Sequence, residues 1–194
     1  MNEKTTKQIE EMMNQTIGVE VEMNNITRTK AAQLAAEFFG TRRHENTAGR
    51  NGYDTYSAWD GEGREWKFQK DVSIHGPDSE KCELVTPILT YADMETLQEL
   101  IRRLRKAGAK SDATRGCGVH IHIGAKGHTP QTLRNLANIM ASHESLLASA
   151  LNLDRSRMNR YCRTVSKDFL VELNRKKPKT MAALADTWYG SQNV

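Results

Sequence analysis

The ten residues Arg115-Gly116-Cys117-Gly118-Val119-His120-Ile121-His122-Ile123-Gly124 constrain this chain more than any others. Apolar and polar side chains alternate strictly from Val119 to Ile123, the pattern of a β-strand with one dry and one wet face. On that reading Val119, Ile121 and Ile123 point to one face, and His120 and His122 stand side by side on the other. Glycines bracket the run, so the backbone can turn sharply or approach a ligand closely at both ends. Two adjacent imidazoles on an open sheet face are half of a metal or phosphate site.

Other segments offer the second half. Ile17-Gly18-Val19-Glu20-Val21-Glu22-Met23 is another alternating strand, with Glu20 and Glu22 on one face. Like charges so placed cost energy unless something positive lies over them. Asp71-Val72-Ser73 closes a predicted hairpin, and Glu83 sits in the short strand Lys81 to Val85. Taken singly, each has a plain reading: glutamates on the wet side of an antiparallel sheet, histidines bonded to backbone. Together, three glutamates, one aspartate and two histidines make a cation cradle rich in hard oxygen ligands. Such a set favours magnesium or manganese over a structural zinc. Magnesium held by carboxylates ordinarily brings phosphates with it.

Other chemistries are excluded or weakened. The sequence has no Walker loop, no Gly-x-Gly-x-x-Gly fingerprint and no nucleophile elbow. Cys117 and His120 fall on opposite faces of a strand, which argues against a thiol–imidazole pair. The three cysteines, Cys82, Cys117 and Cys162, are odd in number and scattered, which fits a reducing cytoplasm. No apolar run approaches the length of a bilayer span, and Met1 to Asn14 lacks the apolar region of a signal peptide. Net charge is +4, with the excess between Arg155 and Lys179, a stretch able to attract phosphates, acidic substrates or nucleic acid.

The remaining elements follow from periodicity and caps. Helices are expected over Thr5 to Asn14, from Thr27 or Thr29 to Phe39, from Asp93 to Gly108, and from Thr129-Pro130 to about Leu151. The last should turn Leu133, Leu136, Met140 and Leu147 inward. Two shorter helices are expected near Ser166–Leu173 and Thr180–Tyr189. Residues 41–52 read as a mobile loop, and Tyr53–Trp59 with Arg64–Asp71 as a β-hairpin around Asp60-Gly61-Glu62-Gly63. The hairpin rules against a wholly parallel sheet. The expectation is an α+β fold over residues 1–194 as a single domain, a mostly antiparallel sheet with helices on one face and Glu20, Glu22, His120 and His122 on the other.

Three motifs in this order resemble a known family. Gly18-Val19-Glu20-Val21-Glu22 is similar to the first-strand motif of carboxylate–amine ligases related to glutamine synthetase and glutamate–cysteine ligase. Asp71-x-Ser73 followed by Glu83-Leu84-Val85-Thr86-Pro87 resembles their second motif, and Gly116-x-Gly118-x-His120-x-His122 their third. Within that superfamily the likeness is to the amidoligase family, whose pattern Trp66 and Asn159-Arg160-Tyr161-Cys162 also fit. The resemblance implies a curved sheet with helices on its convex face and a concave face that binds ATP and magnesium or manganese. It implies Glu20, Glu22, Glu83 and His120 as metal ligands, His122, Arg115 and Ser73 at the metal–ATP phosphates, and Trp66 and Arg160 at the substrate. Asp71 and Glu83 are the implied catalytic carboxylates, Asp71 as a proton acceptor. The implied reaction joins a small-molecule or peptide carboxylate to an amine through an acyl phosphate. The family's later strand ending in Glu-Phe-Arg has no counterpart here, so a truncated or divergent sheet with an open edge is expected, favouring a homo-oligomer.

Two other readings stay open. One is a metal-dependent hydrolase using His120 and His122 with an activated water. The other is a non-catalytic module in which the basic residues 155–179 bind nucleic acid or an acidic partner.

Overall fold

The computed structural model describes residues 2–50, 52–153 and 155–190, apart from the side chains of Arg50, Ser156 and Arg160. The chain divides into two compact units, Met1–Gly124 and Ala125–Val194. The first contains α1 (Glu3–Met13), β1 (Ile17–Met23), α2 (Arg28–Phe38), β2 (His44–Asn46), β3 (Tyr56–Trp59), β4 (Glu65–Gln69), β5 (Cys82–Val85), α3 (Met94–Lys106) and β6 (Val119–Ile123). Its strands form one antiparallel sheet in the order β2-β3-β4-β5-β1-β6. The fold is therefore α+β, as alternation and hairpin signals predict.

Alternation assigns each face. Val19, Val21 and Met23 of β1, Ala58 of β3, Trp66 and Phe68 of β4, and Cys82 and Leu84 of β5 are buried with Ala31, Ala32, Ala35 and Ala36 of α2 and Leu97, Leu100 and Leu104 of α3. The alanines of α2 let that helix sit close to the sheet. Burying a side chain such as Leu84 or Leu100 completely contributes roughly 1.5–3 kcal/mol. Burial also pushes the Cys82 thiol up to about 12, which keeps it a neutral core residue. A groove of about 740 Å³ opens on this face, lined among others by Val21, Met23, Ile101 and Leu104.

Several expectations are corrected here. Val119, Ile121 and Ile123 are not in a core; they are 56%, 65% and 54% exposed. β6 is the edge strand beyond β1, and the cluster that buries the neighbouring strands does not include it. Residues 41–52 are not one loop, because His44–Asn46 pairs with β3. Asp93 does not cap α3 through its own side chain; its carboxylate accepts from the Thr90 N–H at 2.8 Å, closing a capping box around a 3-10 turn.

The β3–β4 turn is fastened by a carboxylate. Asp60 Oδ1 accepts the backbone N–H groups of Glu62 and Arg64, and Oδ2 accepts Arg64 Nε at 2.8 Å and Trp66 Nε1 at 3.0 Å. Arg64 also donates to Asp93 at 2.9 Å, tying the turn to the start of α3. Burial pushes the Asp60 carboxyl up, but the bonds from Trp66 and Arg64 outweigh it and hold the group below its ordinary 3.8. The bond from Arg64 holds Asp93 below 3.8 as well. Depressed carboxylates stabilise the fold above their unfolded values and lose that contribution as pH falls through the folded ones. Asp60→Asn should therefore cost about 2–3 kcal/mol at neutral pH. It should also flatten the loss of stability below about pH 4. Thermal unfolding followed by circular dichroism across pH checks both.

The second unit contains α4 (Pro130–Ala150), α5 (Arg155–Arg160), α6 (Lys167–Lys176) and α7 (Met181–Tyr189). Thr129 caps α4 with Pro130 at its first turn, as predicted. Its core is Ala137, Phe169, Leu173 and Leu184, with Leu133, Val165 and Leu170 packed against it. Leu136, Met140 and Leu147, expected inside, are 44%, 42% and 40% exposed, because α4 meets α6 on a narrow stripe around Leu133 and Ala137. Within the basic stretch, Glu172 pairs with both Arg175 and Lys176, so part of the charge is locally neutralised. No helix among the described residues is long and apolar enough to cross a membrane.

Candidate functional site

The polar face of the sheet is an ordered grid fixed by strand register. Its first row runs Gln69 (β4), Glu83 (β5), Glu22 (β1), because Gln69 pairs with Glu83 and Glu83 with Glu22. Gln69 Nε2 donates to Glu83 Oε2 at 2.8 Å, and the Gly118 N–H donates to Glu22 Oε2 at 2.6 Å. Asp71, two residues beyond Gln69, completes the group: Glu22, Asp71 and Glu83 each offer an oxygen within 4.8 Å of the others. Glu22 and Glu83 are buried, at 4% and 6% exposure. Burial pushes the Glu83 carboxyl above its ordinary range. The Gln69 bond opposes the rise, and the charges of Asp71, Glu20 and Glu22 add to it.

The histidines complete the neighbouring rows. Glu20 faces His120 and Gly18 faces His122 across the β1–β6 pair. His120 Nδ1 lies 3.7 Å from Glu20 and its Nε2 3.7 Å from Glu22, while His122 Nε2 lies 3.3 Å from Glu20. Glu20, Glu22, Glu83 and His120, the expected metal ligands, thus share one face, joined by Asp71 and His122. Both imidazoles are about half exposed, with free access from the open side.

Two loops close the end of the first row. The Ser73 N–H donates to Asp71 Oδ1 at 2.5 Å, and the His75 N–H donates to the Arg115 carbonyl at 2.7 Å. Gly116 has φ +86°, and a Cβ there would lie 2.5 Å from the Ser73 carbonyl oxygen, so only glycine lets the loops touch. Arg115 Nη1 donates to Asn25 Oδ1 at 3.1 Å beside Gly76. Ser73 and Arg115 are thereby brought to the loops beside the carboxylates.

Two substrate expectations fare differently. Trp66 is not on this face. It is fully buried on the helix-covered side, its ring tilted at 42° against Phe39 with centroids 5.0 Å apart and its N–H on Asp60. Arg160 ends α5, and its side chain lies outside the described residues. Sequence reasoning missed Gln69 and Lys67, although both alternate with the apolar Trp66 and Phe68 and so had to face the glutamates' side.

The donor set fits a hard divalent cation. Buried carboxylates facing one another repel, and no described lysine or arginine forms an ion pair with Asp71 or Glu83. A cation taking all-oxygen ligands with imidazoles alongside relieves that repulsion. A family model described as "Putative amidoligase enzyme" matches residues 13–194. No curated protein and no solved structure gives a match.

Proposed function

The chain belongs to the amidoligase family, and from that premise we propose that it is an ATP- and magnesium-dependent ligase joining a carboxylate to an amine through an acyl phosphate. The observation that carries the reading is the meeting of Glu22, Asp71 and Glu83, from three separate segments, within 4.8 Å. In this reading those three carboxylates hold one cation, with Glu20, His120 and His122 alongside, and manganese can replace magnesium. Bound ATP with its metal supplies the phosphoryl group and neutralises the charge that develops as it transfers.

The protein's own groups prepare for this. The Gly118 N–H and Gln69 fix the rotamers of Glu22 and Glu83, so their oxygens need not reorganise when a cation arrives. In this reading Ser73 and Arg115, on the loops at the end of the row, meet phosphate oxygens through hydroxyl and guanidinium. Asp71, half-buried at the rim, is the carboxylate best able to relay a proton from an incoming ammonium.

Calorimetry with a non-hydrolysable ATP analogue tests the reading. Binding should need magnesium and should weaken at least about tenfold in Glu83→Ala. Nucleotide binding indifferent to both magnesium and Glu83 sinks it. Tight transition-metal binding without nucleotide would instead indicate a hydrolase built on His120 and His122. Salt-sensitive nucleic-acid binding that survives Glu20→Ala and His120→Ala would indicate the basic stretch as the functional element.

A further inference from the structure

We infer that Lys67 and Val85 form the seat for the substrate carboxylate, with Val85 as its floor and the Lys67 ammonium as its binding cation. The inference rests on the ligase reading above and adds to it the side from which the carboxylate enters.

The second row of the polar face carries the argument. Register places Glu45, Ser57, Lys67, Val85, Glu20 and His120 in one line across all six strands. Adjacent strands lie about 4.8 Å apart, so the Lys67 and Glu20 backbones are separated by roughly 10 Å with only Val85 between them in the row. Val85 is half-buried and offers methyl groups, so nothing on the floor competes for the anion.

Lys67 is also half-buried, and among the described residues it makes no ion pair. Glu65, the acid nearest along its own strand face, is engaged by Ser57 Oγ at 2.7 Å. Ser57 is in turn bonded to Thr47 at 2.8 Å and fully buried. Beyond it, Arg43 covers Trp59 at 4.0 Å. The β2–β3 side of the face is therefore closed, and Lys67 is the first side chain on the open part.

A half-buried lysine stem with no carboxylate paired to its ammonium leaves that charge available to a substrate anion. The site has the complementary need. Glu20, Glu22, Asp71 and Glu83 together repel an anionic substrate, and a cation on the strand next to Glu83 offsets this. One ammonium over an apolar floor matches a planar, singly charged group. A phosphoryl group needs more donors, of the kind found beside Ser73 and Arg115.

Paramagnetic relaxation by bound Mn2+ tests the assignment without turnover, using [1-13C]acetate and inorganic phosphate as probes. In wild type, Mn2+ should enhance relaxation of the acetate carboxyl. Lys67→Met should reduce that enhancement at least about fivefold and leave Mn2+ affinity and the phosphate effect unchanged, with Lys67→Arg retaining most of it. If Lys67→Met binds Mn2+ and relaxes acetate like wild type, or loses phosphate instead of acetate, the seat is elsewhere and the ligase reading survives. If wild type itself fails to bind Mn2+, the metal reading falls and this inference with it.

Discussion

Asp71→Asn is expected to raise the melting temperature of the metal-free protein while weakening its affinity for Mn2+ at least about tenfold. The two effects have one origin. Glu22, Asp71 and Glu83 present oxygens within 4.8 Å of one another. At an effective dielectric of about 20, each such pair of charges repels by about 3 kcal/mol. Burial raises the Glu83 pKa above its ordinary range, and the charges of Asp71, Glu20 and Glu22 add to the rise. Asparagine at 71 keeps the side-chain oxygen that the Ser73 N–H needs and removes a charge from the cluster. A net gain of about 1 kcal/mol, or about 3 °C in a chain of this size, is the expected result without metal. With Mn2+ at a hundred times its dissociation constant, wild type gains about 2.7 kcal/mol. At the same concentration the variant should gain far less, so the two melting curves cross. Differential scanning calorimetry with and without Mn2+ reads both signs. A variant less stable than wild type without metal would show that Asp71 holds its loop more than it strains the cluster.

What the sequence made legible depended on which physical rule was local. Period-two alternation at 17–23 and 119–123 placed Glu20, Glu22, His120 and His122 on one face before any strand order was known. The same rule places Trp66 in the core, because it alternates with Lys67 and Gln69; the family likeness drew it toward the substrate pocket, and the alternation was the better guide. Alternation says nothing about which strand is an edge. The apolar row Val119, Ile121 and Ile123 is exposed because the core cluster that buries the neighbouring strand β1 does not extend over the edge strand β6. Pairing is non-local, so β2 was equally hidden: three exposed polar residues, His44 to Asn46, are a strand only because β3 accepts them. The site shows the same division. The motif order foretold that Asp71, Glu83 and the Gly116–His122 segment belong together. It could not give the distances at which Asp71 meets Glu22 and Glu83, since those depend on how two loops pack.

Gly116→Ala tests that packing and should be strongly destabilising. At φ +86° a non-glycine residue is strained by roughly 1–2 kcal/mol. The added Cβ would also lie 2.5 Å from the Ser73 carbonyl oxygen, a backbone atom that cannot rotate away. The loops must part, which breaks the His75 N–H bond to the Arg115 carbonyl and releases the turn that holds Asp71. Loss of about 3 kcal/mol in stability is expected, with Mn2+ affinity falling at least about tenfold as Asp71 leaves the cluster. Gly63→Ala separates strain from contact. Gly63 has φ +77° in the β3–β4 turn, but a Cβ there meets nothing within 4 Å. That variant carries the backbone penalty alone and should lose about 1 kcal/mol while binding Mn2+ like wild type. Equal metal affinity in Gly116→Ala and Gly63→Ala would mean that the contact between the loops does not position Asp71. A selective loss in Gly116→Ala makes this close backbone approach the feature that joins the second and third motifs into one site.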